Sequence, residues 1–236
     1  GFAPGKSIVT NAAAHTRCRW LLNVDLKDFF PSIHFGRVRG MLMSKPYQLG
    51  ERAATALAQL CCHKKLLPQG APTSPVISNM VCARLDGELR RLAEFHGCRY
   101  TRYADDISFS TNKMEFPSEL ATLIGEGTKA TVGSSLRQVI ESNGFHVNSD
   151  KVRLQGRQAR QEVTGLVVNR RPNVRRVFVS QLRAMLHAWE KHGYEAAQSE
   201  CYMLPRERLR WRPPAYRLPV LPRYSSATAP GCRRAS

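Results

Sequence analysis

Apolar and polar residues alternate along several short stretches of the chain, as they do in half-buried β-strands. The pattern predicts five strands, over residues 19–26, 100–103, 107–110, 145–148 and 162–169. The first stretch is mostly apolar and ends in polar residues, which is typical of a buried strand. Ala104, Asp105 and Asp106 separate the second stretch from the third, which predicts a hairpin with a tight turn at Ala104-Asp105.

Apolar residues that recur every three or four positions predict three amphipathic helices. Their apolar faces are Ala53, Leu57, Leu60 and Cys61 in the first, Val81, Leu85, Leu89 and Leu92 in the second, and Leu182, Met185, Leu186 and Trp189 in the third. We expect the first helix to stop near Lys64. The second should end at Gly97, and the third should be capped by Ser180 and end at Gly193. A further helix is predicted to end at Gly144. Strands and helices mixed without strict alternation favour an α+β fold, an antiparallel sheet backed by helices.

The charge of the chain indicates the class of its partner. There are 36 Lys and Arg residues against 18 Asp and Glu, which gives a net charge of +18 and a pI near 10.2. Such a protein attracts polyanions because binding releases their counterions, so a nucleic-acid partner is expected. No stretch approaches the roughly 20 apolar residues of a spanning helix, and we expect no membrane partner. Residues 203–236 mix prolines with arginines and are predicted to form an irregular basic tail.

The cysteines indicate a reduced protein. They number seven, without a CxxC pair and without a secretory signal before them, which predicts a cytoplasmic location. Cys61, Cys62 and His63 have the composition of half a zinc site, but no second pair is spaced to complete four ligands. We therefore interpret these cysteines as small apolar residues.

Three carboxylates stand at positions that are costly for a lone charge. Asp25 closes an apolar strand, and Asp105 and Asp106 adjoin one another between two strands. Three carboxylates at the ends of neighbouring strands are the arrangement that holds two Mg²⁺ ions about 3.5–4 Å apart for phosphoryl transfer. The adjacent pair taken alone would favour a hydrophilic turn, and Asp25 with the surrounding segments shifts the interpretation toward a metal site.

Three motifs around these carboxylates resemble those of reverse transcriptases. Tyr103–Asp106 (YADD) is similar to the YxDD motif, and Asn23–Ile33 (NVDLKDFFPSI) resembles the motif that carries the first catalytic aspartate. Leu67–Pro75 (LPQGAPTSP) resembles the loop and helix start between the two. Three long motifs in the right order make the resemblance specific. It implies an RNA-directed DNA polymerase with a right-hand fold, in which the antiparallel sheet is the palm.

The resemblance also implies a domain organisation. Residues 1–168 would form the fingers and palm, with the fingers at about 1–20 and 34–80, and residues 169–202 would begin a thumb. Residues 203–236 would be the basic tail. The chain resembles a member that is partial at both ends.

Two shorter motifs resemble those of retron enzymes in particular. Asn11–His15 (NAAAH) is similar to their NAxxH sequence, and Val163-Thr164-Gly165 is similar to the VTG triplet associated with recognition of the partner RNA. The resemblance implies that Asn11, His15 and the triplet bind RNA. It implies an enzyme of antiviral defence that copies a structured noncoding RNA. Its expected partners are an RNA/DNA duplex, deoxynucleoside triphosphates and an effector protein. Group II intron enzymes are similar as well.

Roles at the metal site follow from the same resemblance. Asp25 and Asp105 would ligate two Mg²⁺ ions, Asp106 would assist, and the Leu26 carbonyl would lie near the metal on the nucleotide side.

The resemblance also assigns a nucleotide site. Phe30 matches the ring that excludes a ribose 2′-hydroxyl, and either it or Phe29 is expected in the core. Gln69 would contact the incoming nucleotide, and Gly70 would allow backbone approach. Lys151 would protonate pyrophosphate, although a surface lysine of no special role is the alternative.

Other readings stay open at this point. Gly1–Ser7 resembles a phosphate-cradling loop but has three residues, not four, between its glycines, so Lys6 is either a phosphate contact or a solvated lysine. An RNA-binding module without catalysis and an untemplated DNA polymerase are the rival functions.

Overall fold

The computed structural model describes residues 3–193, with the side chain of His192 left out. The chain divides into two compact units, Gly1–Arg183 and Ala184–Ser236, and the second is described only over its first ten residues. Part of the predicted thumb segment and the whole predicted tail therefore lie outside the described residues.

Eight α-helices are assigned within the described residues. They are α1 (Ile8–Ala13), α2 (Phe29–Ser32), α3 (Phe35–Met43), α4 (Glu51–Cys61), α5 (Ser74–Val81), α6 (Ala83–Phe95), α7 (Ser134–Ser142) and α8 (Arg176–His192). The strands are β1 (Trp20–Lys27), β2 (Arg99–Tyr103), β3 (Asp106–Thr111), β4 (Ala121–Leu123), β5 (Ala130–Val132), β6 (His146–Val147), β7 (Arg153–Gly156), β8 (Glu162–Val163) and β9 (Leu166–Val167). A single 3₁₀ turn covers Ser149–Lys151.

Strand β1 is the centre of a five-stranded antiparallel sheet. One of its edges pairs with β3 over Trp20–Asp25, and β2 pairs with the far edge of β3. The other edge of β1 pairs with β7 over Trp20–Asn23 and with β6 over Leu26–Lys27. Leu22 is buried on one face and Leu21 on the other, because successive side chains of a strand point in opposite directions. The predicted α+β fold with an antiparallel sheet is confirmed.

The main core lies between the sheet and the helices that pack on it. Helix α6 packs on β2, and α7 packs on α6. Leu85 and Leu89 of α6, Leu136 and Ile140 of α7, and Phe109 of β3 are all fully buried in this core. The apolar residues predicted at helical spacing in α6 therefore form its buried face, as expected.

A second, smaller core covers the opposite face of β1. Its buried members are Ala12, Cys18, Leu21, Val163, Leu166 and Val168. Helix α1 supplies Ala12 and the hairpin β8–β9 supplies Val163 and Leu166, so two segments about 150 positions apart pack together.

The apolar face predicted for α4 is wrong, although the helix itself is confirmed. Ala54 and Ala58 are completely buried, whereas Leu60 is 81% exposed and Leu57 is 42% exposed. Helix α4 packs on α3, and small side chains at the contact let the two backbones approach closely. The large apolar residues whose spacing predicted the buried face therefore lie on the solvent side of the helix.

Several predicted boundaries also differ from the structure. The stretch 162–169 is not one strand but contains a hairpin with a two-residue turn. Thr164 (φ +48°) and Gly165 (φ +80°) both adopt the left-handed backbone of a type I′ turn. The helical run that begins at Val81 is divided between α5 and α6, which meet at Cys82. Helix α8 begins at Arg176, four positions before Ser180, because Val177 and Phe178 continue its pattern.

The predicted helix ends at glycines are confirmed. Gly97 (φ +65°) follows the last turn of α6, and its N–H donates to the Glu94 carbonyl. Gly144 (φ +69°) follows α7 in the same way. Within residues 3–193, no helix combines the length and the apolar character needed to cross a membrane.

Candidate active site

Two of the predicted metal ligands face one another across the central ladder of the sheet. Asp25 in β1 is the direct partner of Asp106 at the start of β3. Directly opposed residues of an antiparallel pair have Cβ atoms about 4.5–5.5 Å apart and point to the same face. Asp105 precedes Asp106 in the turn. The fold thus brings three carboxylates that are distant in sequence to one end of the sheet.

The turn between β2 and β3 is tied to β1. Ala104 and Asp105 are its two central residues, and only Ala104 has a positive φ (+55°), which is the pattern of a type II′ turn. The Leu26 N–H donates a hydrogen bond of 3.1 Å to the Asp105 carbonyl. This bond fixes the turn against the strand that carries Asp25.

The Asp25 carboxylate already has two partners. Lys151 Nζ lies 2.8 Å from Asp25 Oδ1, and Asn148 Nδ2 donates to Oδ2 at 3.2 Å. The Asn148 N–H also donates to the Asp25 carbonyl at 2.9 Å. Asn148 closes β6 and Lys151 closes the following 3₁₀ turn, so both come from the segment that pairs with the end of β1.

Desolvation and the repulsion between neighbouring carboxylates together raise the pKa values of the two adjacent aspartates. Partial desolvation first, and then the charges of Asp105 and Asp25, raise the pKa of Asp106 to about 7, although its side chain still reaches solvent. Desolvation and the charge of Asp25 also raise the pKa of Asp105. The hydrogen bond to Asp25 is the main cause that raises the pKa of Lys151. A cation bound here would relieve this repulsion.

The donor set fits magnesium, which prefers carboxylate oxygens. In the described part of the chain, however, no group of three or more His, Cys, Asp or Glu side chains converges as a metal cluster. The Asp25 carboxylate is instead hydrogen-bonded to Lys151 and Asn148. The three predicted ligands are neighbours in the fold, and their role in holding a metal stays a prediction.

The predicted nucleotide residues lie in two places. Phe29 is buried and stacks on Phe145 with ring centroids 5.6 Å apart, whereas Phe30 is half-buried with its ring edge-on to Phe29 at 5.2 Å. Of the two phenylalanines, Phe29 is thus the core residue. Gln69 and Gly70 are exposed in the loop before α5, and Gly70 (φ +88°) has open space where a Cβ would project.

The predicted RNA-binding residues come together, but two of them are buried. His15 is fully buried, and its ring nitrogens are each 2.7 Å from a hydroxyl, of Ser110 and of Thr101. Val163 is buried in the smaller core. Asn11 and Thr164 are half-buried, and Gly165 is exposed.

A hydrogen bond joins the helix that carries Asn11 to the turn of the Val163-Thr164-Gly165 triplet, since Thr164 Oγ1 donates to the Ile8 carbonyl in α1 at 3.3 Å. Because their side chains are enclosed, His15 and Val163 can affect a bound RNA only by positioning α1 and the hairpin. Their assignment as RNA-binding residues stays a prediction.

Sequence reasoning missed the buried cation beneath the turn. Arg102 precedes the YADD segment by one residue and is only 7% exposed. Its guanidinium contacts Asp86 of α6 and the Ala104 carbonyl. The one available signal was a charge in the middle of an otherwise half-buried strand. Asn148 was missed as well, because an asparagine before a turn has no distinctive pattern.

The fold and the site together define a class of protein. An antiparallel sheet backed by helices, with three aspartates gathered at one end of its central strands, is the framework that the YxDD motif implied. Residues 1–168 match the family model described as reverse transcriptase (RNA-dependent DNA polymerase). The chain belongs to the reverse transcriptase family.

Its curated relatives are the reverse transcriptases of retrons, which confirms the predicted subclass. The chain is 40% identical to the retron Mx162 reverse transcriptase of Myxococcus xanthus over 81% of this chain and 44% of that protein. It is 39% identical to the retron Mx65 enzyme of the same organism, over 79% of this chain and 45% of that one. It is 36% identical to the retron Ec86 reverse transcriptase of Escherichia coli, over 79% of this chain and 54% of that protein. The chain spans about half the length of the curated relatives it matches.

Proposed function

We propose that this chain carries the centre of an RNA-directed DNA polymerase of the retron type, which adds deoxynucleotides to a primer on an RNA template. The observation that carries the proposal is the register of β1 and β3, in which Asp25 is the direct partner of Asp106. The adjoining turn adds Asp105, and the family match covers all three residues.

Two Mg²⁺ ions would be held by Asp25, Asp105 and Asp106 with the Leu26 carbonyl. When bound, such ions activate the attacking hydroxyl and neutralise the triphosphate and the leaving pyrophosphate. Lys151 has a double role in this proposal. It holds Asp25 before the site is loaded, and once released it can donate a proton to pyrophosphate.

Nucleotide selection belongs to residues outside the carboxylate cluster. The half-buried Phe30 ring would exclude the ribose 2′-hydroxyl, and it lies edge-on to the buried Phe29. Gln69 would contact the incoming nucleotide from its exposed loop, and Gly70 would leave room for the backbone to approach.

A cluster of arginines supports a structured RNA as the partner. Arg17, Arg170, Arg171 and Arg176 line a cavity of about 630 Å³ beside the hairpin β8–β9. Among the ion pairs of residues 3–193, none involves these four side chains. Uncompensated guanidinium groups attract phosphates and bind them in a forked geometry. The retron relatives motivate a noncoding RNA as template, with a cytoplasmic role in antiviral defence alongside an effector protein.

Deoxynucleotide incorporation on a primed RNA template with Mg²⁺ tests the proposal. We expect wild type to extend the primer and Asp105→Asn to lose at least about 100-fold in rate, because an ion ligand is removed. Asp150→Asn is the matched control, since Asp150 is an exposed carboxylate in the neighbouring 3₁₀ turn. Absence of extension by wild type would overturn the polymerase proposal, and random or homopolymeric product would indicate untemplated synthesis.

An RNA-binding role without catalysis is the second candidate. The arginine cavity favours it, because it involves none of the three aspartates and needs no metal. RNA binding that persists in the Asp25→Asn, Asp105→Asn double variant, together with no synthesis by wild type, selects this function. Replacing Arg170 by Ala should weaken binding and reduce the salt slope by about 1, whereas exposed Arg90 on α6 serves as the control position.

A further inference from the structure

A buried guanidinium lies directly beneath the turn that carries Asp105 and Asp106. The Arg102 side chain is only 4% exposed, and it extends from β2 toward α6. Its Nη1 donates to the Ala104 carbonyl at 2.9 Å, while Nε and Nη2 donate to the two oxygens of Asp86, both at 2.7 Å. One planar group therefore joins a helix to the turn.

The charge of Arg102 is compensated in place. Asp86 accepts two charge-assisted hydrogen bonds from Arg102 and a third of 2.6 Å from the Tyr100 hydroxyl. Tyr100 and Arg102 are two positions apart on β2, so both side chains point to the same face. A buried ion pair with satisfied partners specifies one geometry more than it adds stability.

The turn needs such support because its backbone is unfavourable. Ala104 has a φ of +55°, a conformation that residues with a Cβ rarely adopt, and its position in a type II′ turn usually belongs to glycine. Both central carbonyls accept hydrogen bonds, that of Ala104 from Arg102 and that of Asp105 from the Leu26 N–H. We propose that Arg102 is a positioning residue of the site, which fixes the YADD turn so that Asp105 and Asp106 present their carboxylates to the metal ions.

The same guanidinium reaches the helix that follows the predicted nucleotide loop. Nη2 also donates to Asn79 Oδ1 at 3.2 Å, and Asn79 lies in α5, which begins at Ser74 just after Gln69 and Gly70. Arg102 thus joins the element behind the nucleotide loop to the carboxylate turn. This inference rests on the proposed polymerase function, which supplies the role of the turn.

Three variants of the full chain separate positioning from stability. Arg102→Lys keeps the positive charge but lacks the fork that holds Asp86 and Ala104 together. Tyr100→Phe removes one hydrogen bond from the same Asp86 and leaves the turn untouched. Arg84→Ala removes the exposed ion pair with Glu88 on the same helix. For each, we would measure the thermal midpoint, Mn²⁺ binding by electron paramagnetic resonance without nucleic acid, and the kcat and KM of single-nucleotide incorporation.

We expect Arg102→Lys to weaken Mn²⁺ binding and lower kcat by about tenfold or more, with KM for the primed template unchanged, as when the partner of a metal ligand is lost. Tyr100→Phe should lower the thermal midpoint but leave Mn²⁺ binding and kcat near wild type. If Arg102→Lys does not fold, Asp86→Asn takes its place with the same expectation.

Wild-type Mn²⁺ binding and kcat in a folded Arg102→Lys would overturn the positioning role. The positioning role would also be overturned if Tyr100→Phe lost Mn²⁺ binding and kcat in the same proportion to its drop in thermal midpoint as Arg102→Lys. A purely structural role predicts that result. If wild type binds Mn²⁺ but incorporates no nucleotide, the polymerase proposal fails while the Mn²⁺ measurement still decides the role of Arg102. No Mn²⁺ binding by wild type overturns both.

Discussion

Lys151 Nζ donates a hydrogen bond of 2.8 Å to Asp25 Oδ1, across 126 positions of sequence. The lysine side chain is 60% exposed and the aspartate side chain is 13% exposed, so the cation approaches from solvent. Metal ions would approach the same carboxylate from the same side. We therefore predict that Lys151 and a divalent cation compete for Asp25, so that loading of the proposed metal site would open the salt bridge.

Replacing Lys151 with Met should change metal binding and rate in opposite directions. Without the ammonium group, Asp25 is free, so half-maximal activity should need less Mg²⁺ than in wild type. Loss of the proton donor should lower kcat by about 100-fold. Single-nucleotide incorporation across a Mg²⁺ titration measures both effects. Lys113→Met, beyond the other end of β3, should change neither, and an increased Mg²⁺ requirement in Lys151→Met would contradict the competition.

The raised pKa of Asp106 predicts that the stability of the metal-free protein depends on pH. Its folded pKa of about 7 is above the value near 3.9 for an unfolded chain, so its contribution to stability is present below about pH 4 and is lost as pH rises through 7. Asp106→Asn should therefore gain thermal midpoint relative to wild type between about pH 5 and pH 8 in EDTA. Added Mg²⁺ should stabilise wild type more at the higher pH. If the difference in thermal midpoint between Asp106→Asn and wild type does not change with pH, this titration is excluded. The control Asp150→Asn should keep the thermal midpoint of wild type.

The two adjacent phenylalanines should separate selectivity from stability. Phe30→Ala should weaken discrimination against ribonucleotides by about 10–100-fold, because the ring that excludes the 2′-hydroxyl is gone. Phe29→Ala should cost about 3–5 kcal/mol of unfolding free energy, since a buried ring is removed, and should leave selectivity unchanged. Competition between deoxynucleotides and ribonucleotides, alongside denaturant unfolding, measures the pair. Unchanged sugar selectivity in Phe30→Ala would remove its assignment.

His15 should act as a buried structural residue. Burial, and then the charge of Arg99, lower the pKa of His15 to about 4, so the neutral ring contributes stability above about pH 6.5 that is lost as pH falls through 4. His15→Ala leaves two hydroxyls without their partner and should cost about 2–4 kcal/mol near neutral pH. Urea unfolding at neutral pH and near pH 4.5 should show this cost shrinking in acid. The exposed His63, replaced by Ala, should cost little at either pH, and an equal cost at both pH values for His15→Ala would contradict the neutral ring.

Much of this architecture was predictable because it depends on local patterns. Strand β1, the hairpin around Ala104 and the glycine ends of α6 and α7 follow from alternation and backbone freedom. The aspartates followed from motif resemblance, and the register of β1 with β3 places Asp25 beside Asp106.

The remaining features depend on contacts between distant segments. Leu60 of α4 faces solvent because the fit against α3 selects Ala54 and Ala58, which no helical spacing reveals. The partners of Asp25 come from a short turn after β6, and those of Arg102 from two helices, so neither network has a sequence signature. The break at Thr164 and Gly165 was hidden because a threonine at positive φ is uncommon.

The packing of α1 against the hairpin β8–β9 has a practical consequence for anyone who shortens the gene. A version that ends before Glu162 would keep all three aspartates yet strip the cover from Ala12, Cys18 and Leu21. Such a truncation would expose an apolar patch on the face of the sheet that the smaller core covers, and would favour aggregation over soluble expression. The smallest sensible expression boundary therefore lies beyond Val168, well past Asp106.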